Sequence, residues 1–317
     1  MLLKITHTTD LSYSEPISES VMELRMVPRQ ENDQRRLSFN LAIGPATSTL
    51  SYFDWLGNTV HAYTINAFHD RIKIVATSVV ETEPQTAAPE GDVWPIALKP
   101  TDYQMHDFLH FGGPIVDSTN LQQVVEQLNA RQNEPLGGLA DRMIALINDR
   151  FRYQPGVTTA ASPITEMLEH GQGVCQDFTH LMIGLARALK IPARYVSGYL
   201  HPKSDQFRGY TQTHAWCELF FPSTGWIGYD PANRCRASEH FVKTAMGRDF
   251  RDVPPNKGIY RGQAKENMSV RVESQELASI PPELATDRMR SLDVPTLPQS
   301  RQPHMEAPQQ QEHQQQQ

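Results

Sequence analysis

The sequence predicts an α+β protein in which a small β-sandwich-like domain is followed by a core of helices packed on an antiparallel sheet. Over residues 2–80 apolar and polar side chains alternate with period two, which is typical of half-buried strands. Beyond residue 100 the apolar period lengthens to about 3.6 in segments 121–128 and 139–147, which indicates helices. Alternation returns at 213–221 and 226–231, so the second half of the chain combines helices with strands.

These patterns divide the chain into four parts. Residues 1–82 form the β-rich domain, and the linker at 83–100 contains four prolines, which disfavour both helices and central strands. The core is assigned to residues 101–280. Residues 281–317 contain six prolines and nine glutamines and no aromatic side chain, so this segment cannot build a core and we predict a disordered tail.

The composition excludes several classes of protein. The chain has 317 residues, enough for one large or two modest domains, and a net charge of −7. An acidic chain without a basic run gives no electrostatic reason to expect nucleic-acid binding. Three cysteines cannot form a disulfide framework, and neither a leader segment nor a long apolar run stands out. We therefore expect a cytoplasmic protein without a membrane partner.

A cysteine stands at the start of a predicted amphipathic helix. Gly171 and Gly173 precede Cys175, and apolar residues follow at helical spacing as far as the Ile191-Pro192 pair, which ends the helix. Free cysteines are usually packed in cores, but a helix N-terminus favours the thiolate and lowers the thiol pKa from about 8.5 to roughly 3.5–7.5. We therefore predict that Cys175 is a nucleophile and that its own N–H can donate to an oxyanion.

A histidine and an aspartate follow this cysteine on two predicted strands. His214 opens the strand at 213–221 and shares a face with Trp216, while Asp230 ends the next strand, after a short turn. Antiparallel neighbours can bring such residues within about 5 Å of each other. Each residue alone is more readily explained as structural. In the order Cys, His, Asp they predict a triad in which His214 takes the thiol proton and Asp230 orients the imidazole.

A zinc site is the main alternative for the same region, because Cys175, His180, His214 and Cys217 are all zinc-ligand types. Their spacing argues against it. His214 and Cys217 are three apart on a strand and face opposite sides, and Cys175 and His180 are five apart on a helix, about 140° from alignment. We expect no metal and no cofactor, and we interpret Cys217 and Cys235 as packed or peripheral thiols.

Several ordered segments resemble one known family. They are residues 173–178 (GVCQDF), 194–199 (RYVSGY), 213–216 (THAW) and 229–233 (YDPAN), together with 24–29 (LRMVPR), Asp54 and 57–58 (GN) in the first domain. This set resembles the bacterial transglutaminase-like cysteine proteins, including the β-rich N-terminal region that accompanies their core. The resemblance implies a papain-like core in which Cys175 is the nucleophile, His214 the base and Asp230 the residue that orients it.

The resemblance also implies acyl transfer on an amide through a thioester that water or an amine resolves. The expected partner is a peptide or protein amide, which could be a peptide bond, a glutamine side chain or a γ-glutamyl linkage. Two further functions stay open: a non-catalytic peptide-binding or scaffold member, and a true protein-crosslinking transglutaminase. A calcium-gated crosslinker is disfavoured because no Asp-x-Asp-x-Asp cluster is present.

Three residues near the predicted triad have open roles. Trp216 is either a wall of the cleft or a core aromatic in a half-buried strand. Tyr153 and Gln172 are candidates for a second oxyanion donor beside the Cys175 amide, although sequence position alone does not establish contact. The oligomeric state is not encoded in any pattern that we can interpret.

Overall fold

The computed structural model describes residues 1–85, 87–98, 103–159, 162–202, 207–209, 211–298 and 310–314. The first 82 residues form six strands, as the period-two pattern predicts. Alternate side chains of the first strand are buried, among them Leu3, Ile5 and Leu11. The strands are β1 (Leu2–Ile17), β2 (Glu19–Leu24), β3 (Gln34–Gly44), β4 (Thr49–Phe53), β5 (Thr59–Ile65) and β6 (His69–Thr82).

Helices and a five-stranded antiparallel sheet form the core. The helices are α1 (Thr119–Leu128), α2 (Leu136–Arg150), α3 (Ile164–His170) and α4 (Cys175–Ala188). In the segments before and between the helices lie the short strands β7 (Val93–Trp94), β8 (Glu134–Pro135), β9 (Arg152–Tyr153) and β10 (Gln172–Gly173). The sheet has the order β14-β13-β12-β11-β15 and consists of β11 (Ala193–Leu200), β12 (His214–Phe221), β13 (Gly225–Asp230), β14 (Cys235–Arg236) and β15 (Phe241–Gly247).

Helix α4 lies at the centre of this core. All of its residues from Cys175 to Arg187 are buried, and the helix packs on β11, β12 and the other three helices. Leu181 and Leu185, which helical spacing places on its apolar stripe, are fully buried. A helix enclosed on every side is a rigid support for the residue at its N-terminus. No helix in the described part of the chain is long and apolar enough to cross a membrane.

Two sheets make up the N-terminal unit, and both contain strands from the far end of the chain. One has the order β17-β1-β6-β3-β18 and the other the order β19-β16-β2-β5-β4. Their apolar faces enclose a cluster that includes Leu11, Met22 and Ile72. The additional strands are β16 (Asn256–Arg261), β17 (Glu266–Glu276), β18 (Arg288–Ser291) and β19 (Gln310–Gln314).

The pairing of these four strands differs from the domain boundaries that the sequence predicts. The pattern assigns residues up to 280 to the core and residues 281–317 to a disordered tail. Instead, β17 pairs with β1, β16 pairs with β2, and β18 and β19 add to the edges of the two sheets. Strand pairing is made by backbone hydrogen bonds, so side-chain alternation does not reveal the partner. Strand β18 is exposed along its whole length, and no apolar pattern marks it.

Side-chain amides of the N-terminal unit cover the edge of the core sheet. The Gln34 amide accepts from the Lys243 backbone N–H at 2.7 Å and donates to the Lys243 carbonyl at 2.9 Å. Asn58 does the same with Met246, accepting from its N–H and donating to its carbonyl, both at 2.9 Å. Since β15 is the last strand of the core sheet, these amides take the place of a neighbouring strand.

A buried ion cluster joins the same two units. Glu218 of β12 is fully buried and contacts Arg194 of β11 at 2.5 Å and Lys243 of β15 at 3.2 Å. Glu31 of the N-terminal unit contacts Lys243 at 3.3 Å. Burial alone would raise the pKa of Glu218, but the two cations outweigh it and lower that pKa to about 2. The carboxylate therefore stays charged, and its loss would leave Arg194 and Lys243 with only the half-buried carboxylates of Glu31 and Asp33.

Candidate active site

The backbone around Cys175 is fixed from two sides. Strand β10, just before α4, pairs in parallel with β9. The Asp177 carboxylate in the first turn of α4 accepts from the Val174 N–H at 2.7 Å and from the Thr158 hydroxyl at 2.6 Å. A Cβ at Gly173 would lie 2.7 Å from the Asp177 Cβ, so only glycine fits there. These contacts hold Cys175 in a fixed position at the start of α4.

The register of the core sheet places His214 and Asp230 at the same end. Cys217 of β12 lies opposite Tyr229 of β13, so Asp230 is a diagonal neighbour of His214 on the same face. The His214 Nε2 and Asp230 Oδ2 atoms are 2.6 Å apart, and neither side chain is exposed to solvent. The hairpin therefore brings together the histidine and aspartate that the sequence predicts.

Asp230 is surrounded by hydrogen-bond donors. Its Oδ1 accepts from the Ala232 N–H at 3.0 Å and the Asn233 N–H at 3.1 Å. Its Oδ2 accepts from the Asn233 Nδ2 at 2.7 Å in addition to the contact with His214. Four donors thus surround one carboxylate and fix its orientation. The turn after β13 thus holds the Asp230 carboxylate in a fixed position behind the imidazole.

Cys175 approaches the same imidazole. Burial alone would lower the pKa of His214, but Asp230 first and then the Cys175 side chain raise it to about 10. Nε2 is occupied by Asp230, which leaves Nδ1 for the thiol. Nδ1 is buried and has no partner of standard hydrogen-bond geometry among the described residues. Catalytic pairs often tighten only when substrate binds, so this loose contact is compatible with proton transfer.

Tyr153 lies against Cys175. Its hydroxyl interacts with both the side chain and the backbone N–H of Cys175, and burial together with the nearby sulfur raises the pKa of the phenol. Tyr153 therefore stays protonated and can donate a hydrogen bond beside the sulfur. Gln172, the other candidate donor, makes no hydrogen bond to Cys175 within the described residues. Its segment, β10, lies beside β9.

A short segment that the sequence analysis missed covers the site, and we call residues 207–209 the strap. The Arg208 guanidinium lies over the Tyr153 ring, with its Cζ 4.6 Å from the ring centroid. Gly209 has φ +82°, and a Cβ there would lie 2.4 Å from His214 Nδ1. No signal in a polar loop shows that one of its residues folds back onto a histidine and another onto a tyrosine. The close approach explains why glycine is required at 209.

The remaining predicted residues have structural positions. Trp216 is fully buried and packs edge-to-face on Phe241 at 5.2 Å between ring centroids, so it is a core aromatic rather than an open wall. Cys217 is fully buried, and burial raises its pKa well above the usual value. His180 accepts from the Phe250 N–H at 3.1 Å, and burial lowers its pKa to about 3. Among the described residues no His, Cys, Asp and Glu side chains converge as a metal-binding group.

Fold and site together define a class: papain-like α+β proteins in which a cysteine at a helix N-terminus meets a histidine–aspartate pair from a neighbouring sheet. Comparison with known proteins agrees. Residues 122–231 match the Transglutaminase-like superfamily, and residues 3–81 match the Bacterial transglutaminase-like N-terminal region. An uncharacterized Mycobacterium leprae protein is 32% identical over 285 residues, which cover 87% of this chain and 99% of that protein. The chain belongs to the bacterial transglutaminase-like family.

Two other similarities extend this result. A Pseudomonas aeruginosa protein-glutamine gamma-glutamyltransferase is 24% identical over 187 residues, 53% of this chain and 27% of that protein. The crystal structure of a "Putative Cysteine Protease" from Cytophaga hutchinsonii has a TM-score of 0.69 at 21% identity and covers 89% of this chain and 93% of its own. The latter similarity concerns the fold alone. The predicted family and fold class are confirmed.

Proposed function

We propose that the protein catalyses thiol-dependent acyl transfer or hydrolysis on an amide. The observation that carries the proposal is the convergence of Cys175, at the N-terminus of α4, with the buried His214–Asp230 pair. A core that only binds peptide has no need for a charged pair that shares a buried site with a thiol. Burying ionisable groups is costly unless their charges are used or paired.

The geometry supports a sequence of proton and acyl transfers. His214 holds the proton of the thiol, and the Cys175 sulfur attacks the amide carbonyl. In this mechanism the Cys175 N–H and the neighbouring Tyr153 hydroxyl donate to the oxyanion of the tetrahedral intermediate. His214 then protonates the leaving amine while Asp230 holds the ring, and a thioester remains. Attack by water or by a second amine releases the acyl group.

Transamidation is the second candidate outcome of the same thioester. Cys175 is 2% exposed and His214 is not exposed at all, so the site holds little room for water before substrate arrives. The similarity to a protein-glutamine gamma-glutamyltransferase points in the same direction. A labelled primary amine offered with a glutamine-containing peptide separates the two outcomes: incorporation of the label supports transamidation, and its absence during turnover supports hydrolysis.

The three cysteines of the chain provide a matched test. Intact-mass spectrometry with activated glutamine and γ-glutamyl substrates should detect an acyl adduct on the wild-type protein and on the Cys217→Ala and Cys235→Ala variants. Cys175→Ala should form no adduct and lose turnover by about 10⁴-fold or more. Peptide binding without any adduct on Cys175 would support a non-catalytic member and contradict the proposal.

A further inference from the structure

Within the described residues, a cation without an acidic partner lies against the tyrosine that contacts the proposed nucleophile. The Arg208 guanidinium is stacked on the ring of Tyr153, whose hydroxyl interacts with Cys175. Among the described residues the guanidinium makes one hydrogen bond, from Nη1 to the Ala232 carbonyl at 3.1 Å, and no ion pair with a carboxylate. Other half-buried arginines of the chain, such as Arg29, are paired with carboxylates. Arg208 therefore keeps most of its donors free.

The strap holds this cation in a fixed place relative to the triad. The Arg208 N–H donates to the Asn233 Oδ1 at 2.8 Å, and the Asn233 Nδ2 lies 3.2 Å from the Arg208 carbonyl. The same Nδ2 donates to Asp230 at 2.7 Å. One asparagine thus connects the backbone of Arg208 to the carboxylate behind His214. A binding group held in this way loses little conformational entropy when a ligand arrives.

Burial indicates the side from which a substrate reaches the sulfur. Most of the groups packed around Cys175 and His214, such as Phe178 and Trp216, are fully buried. Tyr153 and the strap residues Arg208 and Gly209 are only half-buried, so they lie between the reacting pair and solvent. An acyl group that approaches Cys175 from solvent passes the guanidinium. The guanidinium presents a planar fork of N–H donors, which can form two parallel hydrogen bonds with one carboxylate.

We propose that Arg208 is a specificity-determining residue that binds a carboxylate of the substrate close to the scissile amide. This inference rests on the proposed function and narrows its substrate class. The carboxylate can be the free α-carboxylate of a γ-glutamyl amide or the side chain of an acidic residue next to a glutamine. Both sources present the same planar anion to the guanidinium.

The experiment compares substrates that differ only in this charge. One pair is γ-glutamyl-4-nitroanilide and its α-carboxamide analogue; the other is a glutamine peptide flanked by glutamate or by glutamine. The wild-type protein should favour the charged member of at least one pair by about 10- to 100-fold in kcat/KM, as expected for a charge-assisted bidentate contact. The pair that shows the preference identifies the source of the carboxylate.

Variants of Arg208 distinguish recognition of the substrate carboxylate from a merely structural role of the arginine. Arg208→Gln should abolish the preference, mainly through KM for the charged substrate, and Arg208→Lys should keep part of it. Arg152→Gln is the matched control, because Arg152 is an exposed cation one residue from Tyr153 and outside the site. The control should retain the full preference.

Two results would overturn the inference. The first is equal turnover of charged and neutral substrates by the wild-type protein. The second is an Arg208→Gln variant that slows both members of a pair by the same factor, which would show that the arginine only holds the strap. If no probe acylates Cys175 at all, the proposed function fails and the inference fails with it, so the two failures are distinguishable.

Discussion

Replacing Asp230 with asparagine should disable the site while leaving its shape intact. Each carboxylate oxygen of Asp230 accepts from two donors: Oδ1 from the Ala232 and Asn233 N–H groups, and Oδ2 from His214 and the Asn233 amide. An asparagine side chain has one oxygen and one NH₂ group. In either orientation its NH₂ faces donors, so at least one buried hydrogen bond is replaced by a repulsive contact.

The effect of Asp230 on the pKa of the His214 imidazole indicates how large the loss of activity should be. Despite burial, Asp230 and Cys175 raise the pKa of His214 from 6.5 to about 10. One pKa unit corresponds to about 1.4 kcal/mol. Relative to a free imidazole in water, the folded protein therefore stabilises the protonated ring by roughly 5 kcal/mol. Without the carboxylate, most of this preference is lost. Where the amide NH₂ faces the ring, the neutral imidazole also carries its proton on Nδ1, the nitrogen that should accept from the thiol. By analogy with hydroxyl triads we expect turnover to fall by about 10⁴-fold.

Alkylation by iodoacetamide measures this change without knowledge of the substrate. Intact-mass spectrometry between pH 6 and 9 should show rapid labelling of Cys175 at pH 6 in the wild-type protein and a much slower rate in Asp230→Asn. Asp141→Asn is the control, because it removes an exposed carboxylate that pairs with Arg236 rather than with the imidazole. A folded Asp230→Asn variant that is labelled as fast as the wild type at pH 6 would refute the reasoning.

Four further outcomes are expected. Tyr153→Phe should slow acylation of Cys175 by about 10- to 100-fold in single-turnover mass spectrometry with an unchanged Tm, because it removes only a donor beside the sulfur; an unchanged rate would exclude that role. Glu218→Ala should lose about 3–5 kcal/mol in urea unfolding, since two buried cations lose their one fully buried partner. Asn58→Ala should lose about 1–3 kcal/mol in the same assay, because edge-strand backbone groups become unsatisfied. The raised pKa of His214 contributes stability that is complete below pH 6.5 and is lost as pH rises to about 10, so His214→Gln should flatten the unfolding free energy over that range.

Much of the fold and of the candidate site follows from local sequence pattern. The strands of the first 82 residues and the helix that begins at Cys175 have strong periodicity, because one face of each is buried. His214 and Asp230 flank a hairpin whose short turn limits the possible registers, so their proximity is predictable. In each case the signal lies within a few residues of the feature that it predicts.

Long-range features could not be predicted in this way. Strand β17 has an ordinary alternating pattern, and nothing in it indicates that β1, more than 250 residues earlier, is its neighbour. The roles of Arg208 and Asn233 depend on a polar loop that folds back onto the turn after β13. Gln34 and Asn58 have amide side chains of a common type, and only the structure shows that they bond to the backbone of β15. Such contacts are set by tertiary packing rather than by local preference.

The return of β16 and β17 to the N-terminal sheets means that the two ends of the chain build one body while its middle builds the other. A protease that cuts within the connection at 87–98 would leave both pieces bound to each other, since β1 and β2 keep their ladders with β17 and β16. The cut protein should migrate as a single species under native conditions and separate only in denaturant. By the same reasoning, residues 1–82 and 83–317 produced as separate polypeptides should reassemble by fragment complementation, and neither should be expected to fold well alone.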